Sequence, residues 1–291
     1  MKNVLLVCVA ALSCLFFGAT VAAPLATAER IQSPAWLVRD GLREPLAPGQ
    51  NLRAGDSVET GVNARVYLRL AEGSQIKLGE HAVFVVESGA MRSGVLTGLM
   101  DVVNGAFRFT TGLVNKGRGR RDLRIQVMTA TIGIRGTDVW GRAAGDGDLV
   151  ALIEGNISLR QDGQALDIQP MQFMDAPRGA AARVKALAPA TLERLAAETE
   201  LQPGAGMRRE PRAGWAILAG EFVAKREAQM SLNTLRDAGF PARVSFSGAG
   251  RQSGKPYRLL VSGFGNEAAA QAALAPMTVI PGLSPRVVSV P

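Results

Sequence analysis

Cysteine is almost missing from this chain. There are two among 291 residues, Cys8 and Cys14, and both lie near the start. Beyond them no disulfide, thiolate metal site or cysteine nucleophile can form. Histidine is as scarce: His81 stands alone, so neither a histidine-based metal site nor a Ser-His-Asp triad can be assembled. Carboxylate pairs exist, but none sits in a glycosidase-like context. Gly145-Asp146-Gly147-Asp148 hints at calcium, yet it lacks the later ligands of an EF-hand loop and reads better as a tight turn between strands. These gaps argue against catalysis, so no enzyme activity, metal or cofactor is expected.

Long hydrophobic runs are also lacking. The one candidate, residues 4–17, is shorter than the roughly 20 residues a spanning helix needs. Lys2 precedes it and small residues follow to Ala28, which is the order of a secretory signal peptide. Cleavage fits after Ala23 or after Ala28; Pro24 counts against the first, so residues 1–28 are expected as the signal. An uncleaved anchor, or lipidation at Cys14 after Ala11-Leu12-Ser13, is the alternative, and only then is membrane contact expected. The expected location is the periplasm.

Acidic residues are outnumbered, 25 against 33 Lys and Arg, giving a net charge of +8. An exported chain has little access to nucleic acid, so none is expected as a partner. Cell-wall polymer, lipopolysaccharide or phospholipid head groups are the plausible anions. The densest basic run, Lys116-Gly117-Arg118-Gly119-Arg120-Arg121, reads more simply as a solvated hairpin tip than as an anion-binding loop.

The remaining length suggests two domains. After an extension over 29–47, residues 48–175 alternate apolar and polar in short runs, such as 65–70 (RVYLRL), 75–78 (QIKL), 106–109 (AFRF) and 123–127 (LRIQV). Turn residues such as Glu72-Gly73-Ser74 and Gln161-Asp162-Gly163 separate them. That pattern predicts an all-β domain, as a sandwich, a barrel or a short β-solenoid. Residues 176–213 read as a linker with a short helix starting at Pro189. Residues 214–291 change rhythm to strand, helix, strand, strand, helix, strand, the split ferredoxin-like βαββαβ order. Gly239 stops the first helix and Asn266 caps the second. The two halves echo each other: Trp215-x-Ile217-x-Ala219-Gly220-x-Phe222 and Tyr257-x-Leu259-x-Val261-Ser262-Gly263-Phe264.

The β domain resembles the FecR domain family. The match is carried by Gly55-Asp56-x-Val58-x-Thr60-Gly61, Glu72-Gly73-Ser74-x-Ile76-x-Leu78 and Gly105-Ala106-Phe107-Arg108, and above all by the run from Thr129 to Thr137 that holds Gly133, Arg135, Gly136 and Thr137. Most of these positions read as structural, with Arg135 the candidate anion ligand. The resemblance implies ligand or partner binding. Family members that sense iron complexes act on sigma factors through a cytoplasmic segment ahead of a membrane helix. Here Met1 to Asn3 alone precede the apolar run, so sigma regulation is not expected.

The C-terminal domain resembles the SPOR family, which binds peptidoglycan glycan strands lacking stem peptides. Trp215, Ile217, Ala219, Gly220 and Phe222 carry the signature, with Tyr257-Arg258-Leu259-Leu260-Val261 as the second strand. The resemblance implies binding on the sheet face away from the helices. Alternation places Ala216, Leu218, Arg258, Leu260 and Ser262 there, with Arg258 as the best single contact. The family often has Gln where Leu218 stands, and Leu cannot hydrogen-bond a sugar. The expected function is therefore peptidoglycan binding with an envelope protein partner for the FecR-like domain; the alternative is a signalling or scaffold protein whose SPOR-like domain contacts protein.

Overall fold

The computed structural model describes residues 24–93, 95–112, 122–134, 136–202, 204–209, 214–246, 254 and 256–290. The run 116–121 and Arg135 lie outside these residues.

Alternation builds two facing sheets. Arg65–Leu70 and Gln75–Leu78 are strands with the expected bounds; they pair antiparallel and bury Val66, Leu68, Leu70, Ile76 and Leu78 on the inner face. The first sheet runs Met207–Arg208, Ala26–Gln32, Arg65–Leu70, Gln75–Leu78, Val95–Thr110, Asp138–Ala144, Gly147–Glu154, Gln172–Pro177, Arg183–Ala186. The second runs Leu42–Pro45, Ala35–Arg39, Ser57–Thr60, Val83–Arg92, Val95–Thr110, Asp122–Val127, Ala130–Ile134, Ile157–Gln161, Gln164–Leu166. The strand Val95–Thr110 belongs to both, pairing over 95–104 in the second sheet and over 105–110 in the first. Gly105 marks the change. Its φ is +86°, and a Cβ there would stand 2.6 Å from Ala82 Cα, so only glycine fits. Leu37, Val58, Phe84, Ile125 and Ile132 from one layer meet Leu68, Ile76, Phe107, Phe109 and Val150 from the other in one core. Of the three architectures left open by the sequence, the sandwich is the one observed.

The sandwich is larger than the run 48–175. Leu25, Ala26 and Ala28 are buried, and Ala26–Gln32 pairs along the length of Arg65–Leu70. Ala35–Arg39 and Leu42–Pro45 form a hairpin at one edge of the second sheet. The stretch expected as an extension, and the last residues of the expected signal, are thus integral strands. Small side chains suit a signal-peptide tail, and they equally suit the close pairing of two buried strands.

The stretch expected as a linker is also packed. Arg183–Ala186 extends the first sheet, and the helix Pro189–Ala197 lays Leu195 against Trp140 and Ala151. The chain then crosses the outer face of the first sheet, where Glu200 is gripped. It accepts from Tyr67 Oη at 2.8 Å, Lys77 Nζ at 2.5 Å and Arg108 Nη1 at 3.2 Å. Tyr67 Oη in turn accepts from Leu201 N at 2.7 Å. Burial works to raise the Glu200 carboxyl, but the hydrogen bonds from Lys77 and Tyr67 and the charges of Lys77 and Arg108 outweigh it and hold it below its ordinary range.

The C-terminal domain has the expected split order. Its sheet runs Arg286–Val290, Gly214–Phe222, Tyr257–Phe264, Arg243–Phe246, all antiparallel. The helices Lys225–Asp237 and Glu267–Leu274 cover one face with Ala228, Leu232, Leu235, Ala269 and Ala270. Asn266 caps the second helix by accepting from Ala269 N at 2.8 Å.

The two domains share one core, because Phe240, Val261 and Phe264 belong to the same cluster as Ile31 and Leu37. The joint is a shared strand. Met207 pairs with Ile31 on one side and with Phe264 on the other. A second contact joins Trp36 Nε1 to Asp237 O at 3.1 Å and Ala35 N to Gly239 O at 3.2 Å.

Candidate functional site

The sheet face opposite the two helices gathers the expected residues. Cross-strand register sets Leu218 beside Leu260 and Arg286, Ala216 beside Ser262 and Val288, and Leu260 beside Arg243. Ile217, Ala219, Leu259 and Val261 lie in the helix-side core. Ala216 and Leu218 thus lie away from the helices, but the strand Gly214–Phe222 carries irregularities between Trp215 and Ala216 and between Leu218 and Gly220, and the second shifts Gly220 opposite Leu259, where strict alternation puts it on the other face.

Exposure differs from expectation. Ala216, Leu218 and Leu260 are 0%, 1% and 7% exposed and form their own apolar cluster, flanked by Val288 and Val290. They face away from the helices without facing water. Leu218 and Leu260 are directly opposed across neighbouring strands, and Ala216 is opposed to Val288, so these apolar side chains pack on one another. The accessible chemistry lies at the rim. Glu221 Oε2 accepts from Arg286 Nη2 at 3.0 Å, and Arg258 Nε stands 3.7 Å from Glu221 Oε1. Arg243 Nη2 donates to Ser262 Oγ at 3.4 Å. Arg258 and Ser262 are half-buried, whereas Arg243 and Arg286 are exposed. Sequence reasoning singled out neither Arg243 nor Arg286. Their signal was present, since both share the alternation that places Leu260 and Leu218 on this face. At one end of the sheet Phe246 is 64% exposed and lies 5.3 Å from the Tyr257 ring, a tilted aromatic pair also not anticipated.

The motif residues of the sandwich have structural surroundings. Gly133 lies where a Cβ would strike the Ser158 hydroxyl, and it pairs opposite Ser158. Gly136 has φ +82°, and its carbonyl lies against Gly155. Thr137 is buried and donates its N–H to Thr111 Oγ1 at 3.0 Å. Arg135 lies outside the described residues. Asp148, read with its neighbours as a tight turn, accepts from Thr129 Oγ1 at 2.8 Å and Thr129 N at 3.2 Å. Asp56 of the family-like Gly55-Asp56 pair is buried and bound by both Arg39 Nε at 2.8 Å and Arg39 Nη2 at 2.6 Å, with Arg53 N at 2.7 Å. Burial raises its carboxyl, but these partners outweigh burial and hold it below its ordinary range.

Comparison with known proteins fits both domains. The FecR protein family matches residues 56–158, and the SPOR domain family matches residues 211–284. The chain therefore carries a FecR domain and a SPOR domain, two kinds of binding or signalling module typical of envelope proteins. No curated protein matches this sequence. Two crystal structures of a candidate anti-sigma factor from Parabacteroides distasonis are similar at 11% and 9% identity, with TM-scores of 0.40 and 0.41. The matches cover 47% and 62% of this chain and 62% and 74% of the other. In the first, this chain spans under two thirds of that protein. Among the described residues, no helix is long and apolar enough to cross a membrane.

Proposed function

We propose that this is an exported envelope protein that holds peptidoglycan, on glycan strands lacking stem peptides, through its SPOR domain. Its sandwich is presented to an envelope protein partner, and the chain works in the periplasm. The SPOR match over residues 211–284 carries this reading. The rim of Arg243, Arg258 and Arg286 supplies guanidinium donors to sugar hydroxyl and carbonyl oxygens. The test is co-sedimentation of the full chain with amidase-treated sacculi. Wild type is expected in the pellet, and Arg258→Ala with Arg286→Ala is expected to shift most of it to the supernatant. Recovery of wild type in the supernatant would overturn glycan binding.

One feature favours a second reading, in which this domain contacts protein rather than sugar: Leu218 offers no hydrogen bond to a glycan. Under that reading sacculi do not retain the chain, and the rim substitutions change nothing in the pellet.

A further inference from the structure

A cleft of about 690 Å³ opens beside the joint between the two domains. Arg30 and Arg69 reach it from the sandwich, and Arg208 and Arg209 reach it from the shared strand and the residue after it. Glu29 is the one carboxylate among its described lining residues. That carboxylate is already engaged, by Arg69 Nη2 at 2.9 Å and by Gln75 Nε2 at 3.0 Å. Among the described residues, no carboxylate forms an ion pair with Arg30, Arg208 or Arg209, and Glu29 acts on Arg30 only at a distance.

Their placement is built into the fold. Arg30 and Arg208 are directly opposed in the register of Ala26–Gln32 and Met207–Arg208. Like charges in that position repel. Arg30 donates from Nη2 to Ala205 O and lies 5.8 Å from the centre of the Tyr67 ring, while its buried Nε has no hydrogen-bond partner. Burial first, and then the charge of Arg208, lower the basicity of Arg30. Arg209 lays its stem on Gly49, where a Cβ would stand 2.6 Å from Arg209 Cδ. Neither Arg208 nor Arg209 has a carboxylate partner among the described residues. The fold thus holds two like charges side by side and turns a third toward them.

We propose that this cleft binds a phosphate-bearing ligand. A carboxylate offers one charge and two oxygens. A phosphomonoester or diphosphate offers about two charges at neutral pH and three or more oxygens, which suits several guanidinium forks at once. The cleft is larger than a phosphate group and falls within the range of small-molecule sites, so it also admits a polar, sugar-sized group beside Gln75 and Thr27. A soluble sugar phosphate and a lipid head group share this chemistry. The cleft is separate from the SPOR sheet rim, so this inference stands or falls independently of glycan binding.

The experiment is calorimetric titration of the full chain with pyrophosphate and with glucosamine 1-phosphate, alongside flotation with phosphatidylcholine vesicles with and without phosphatidic acid. Citrate serves as a charge-matched carboxylate. The variant Arg208→Gln with Arg209→Gln removes two exposed side chains from the cleft. Lys225→Gln with Arg226→Gln removes the same charge from the exposed helix Lys225–Asp237. Phosphate ligands are expected to bind, and the cleft variant to weaken them roughly tenfold or more, with the helix variant near wild type. Binding of the soluble compounds identifies a soluble source. Binding restricted to phosphatidic acid vesicles identifies a head group. Absence of binding in every arm, equal binding of citrate, or equal weakening by the helix variant would overturn the proposal.

Discussion

Trp36 and Gly239 are in contact across the joint between the domains. A Cβ on residue 239 would stand 2.7 Å from two carbons of the indole, and Gly239 itself has φ +84°. Gly239 therefore does two things. It ends the helix Lys225–Asp237, donating its N–H to Arg236 O at 2.9 Å, and it offers a flat surface to the Trp36 ring.

Gly239→Ala is expected to destabilise the chain by about 2–4 kcal/mol, from the positive φ together with the overlap on Trp36. In wild type the shared core is expected to make the two domains unfold together. The variant is expected to split thermal unfolding into two transitions, read by circular dichroism and calorimetry. A single transition at the wild-type temperature would refute this.

Asp56→Asn removes the charge from a buried carboxylate that two guanidinium nitrogens and a backbone N–H hold. Arg39 is partly exposed and keeps Asn51 O and the nearby charges of Glu44 and Asp40, so the loss is expected to cost about 1–3 kcal/mol. Urea unfolding at neutral pH measures it.

The split domain was largely legible in the sequence. The echo between residues 215–222 and 257–264 depends on strand alternation and helix stops, which act over a few residues, and Asn266 caps as expected. The sandwich strands followed from period-two patterning for the same reason. What escaped was long-range. Trp36 finds Asp237 across 201 positions, and no local pattern encodes that meeting. Ala26 and Ala28 escaped because small residues satisfy a cleavage site and a strand pair equally well. Leu218 was placed on the correct face, but its burial depends on Leu260 and Val288, which arrive from other strands.

The burial of Leu25, Ala26 and Ala28 sets an expectation for processing. The mature protein should begin at Pro24, not Glu29. Leu25 N donates to Leu52 O and Ala28 N to Gln50 O, each at 2.9 Å. A chain starting at Glu29 loses these bonds and the buried side chains, at a cost of about 3–5 kcal/mol. N-terminal sequencing of the protein purified from cells decides the start, and urea unfolding of the shorter chain decides the cost.

Asp56, Glu200 and Tyr67 should each contribute stability that is level in the middle of the pH range and lost at one end, while Asp101, raised by burial and by Glu87, opposes the first two in acid. Asp56 and Glu200 are held below their ordinary values, so the unfolded chain binds more protons than the folded one under acid conditions. Their contribution is full above about pH 4–4.5 and is lost as the pH falls through the lowered folded values. At the alkaline end burial, with help from Glu200 and against the hydrogen bond from Leu201 N, pushes the Tyr67 phenol up to about 12. The folded chain keeps that proton longer, so stability is full below about pH 10 and drains as the pH climbs toward 12. Glu200→Gln should flatten the acid limb, and Tyr67→Phe should flatten the alkaline one. Urea midpoints across pH test both.

Leu218→Gln would place an amide in the cluster of Ala216, Leu218 and Leu260. A buried amide without a partner costs about 1–3 kcal/mol. Lower stability with no gain in sacculus binding is the expected result. A gain in binding would show that the cluster opens when glycan is engaged.

Met207 pairs in register with both domains at once, with Ile31 in the sandwich and with Phe264 in the split domain. If the SPOR domain is moored to the wall, a pull on it is not absorbed by a slack tether. The load crosses that short ladder sideways and enters the sandwich at Ala26–Gln32. Tension in the wall and the conformation of the first sheet are then mechanically linked through that ladder, braced by the Trp36–Asp237 contact and the shared core.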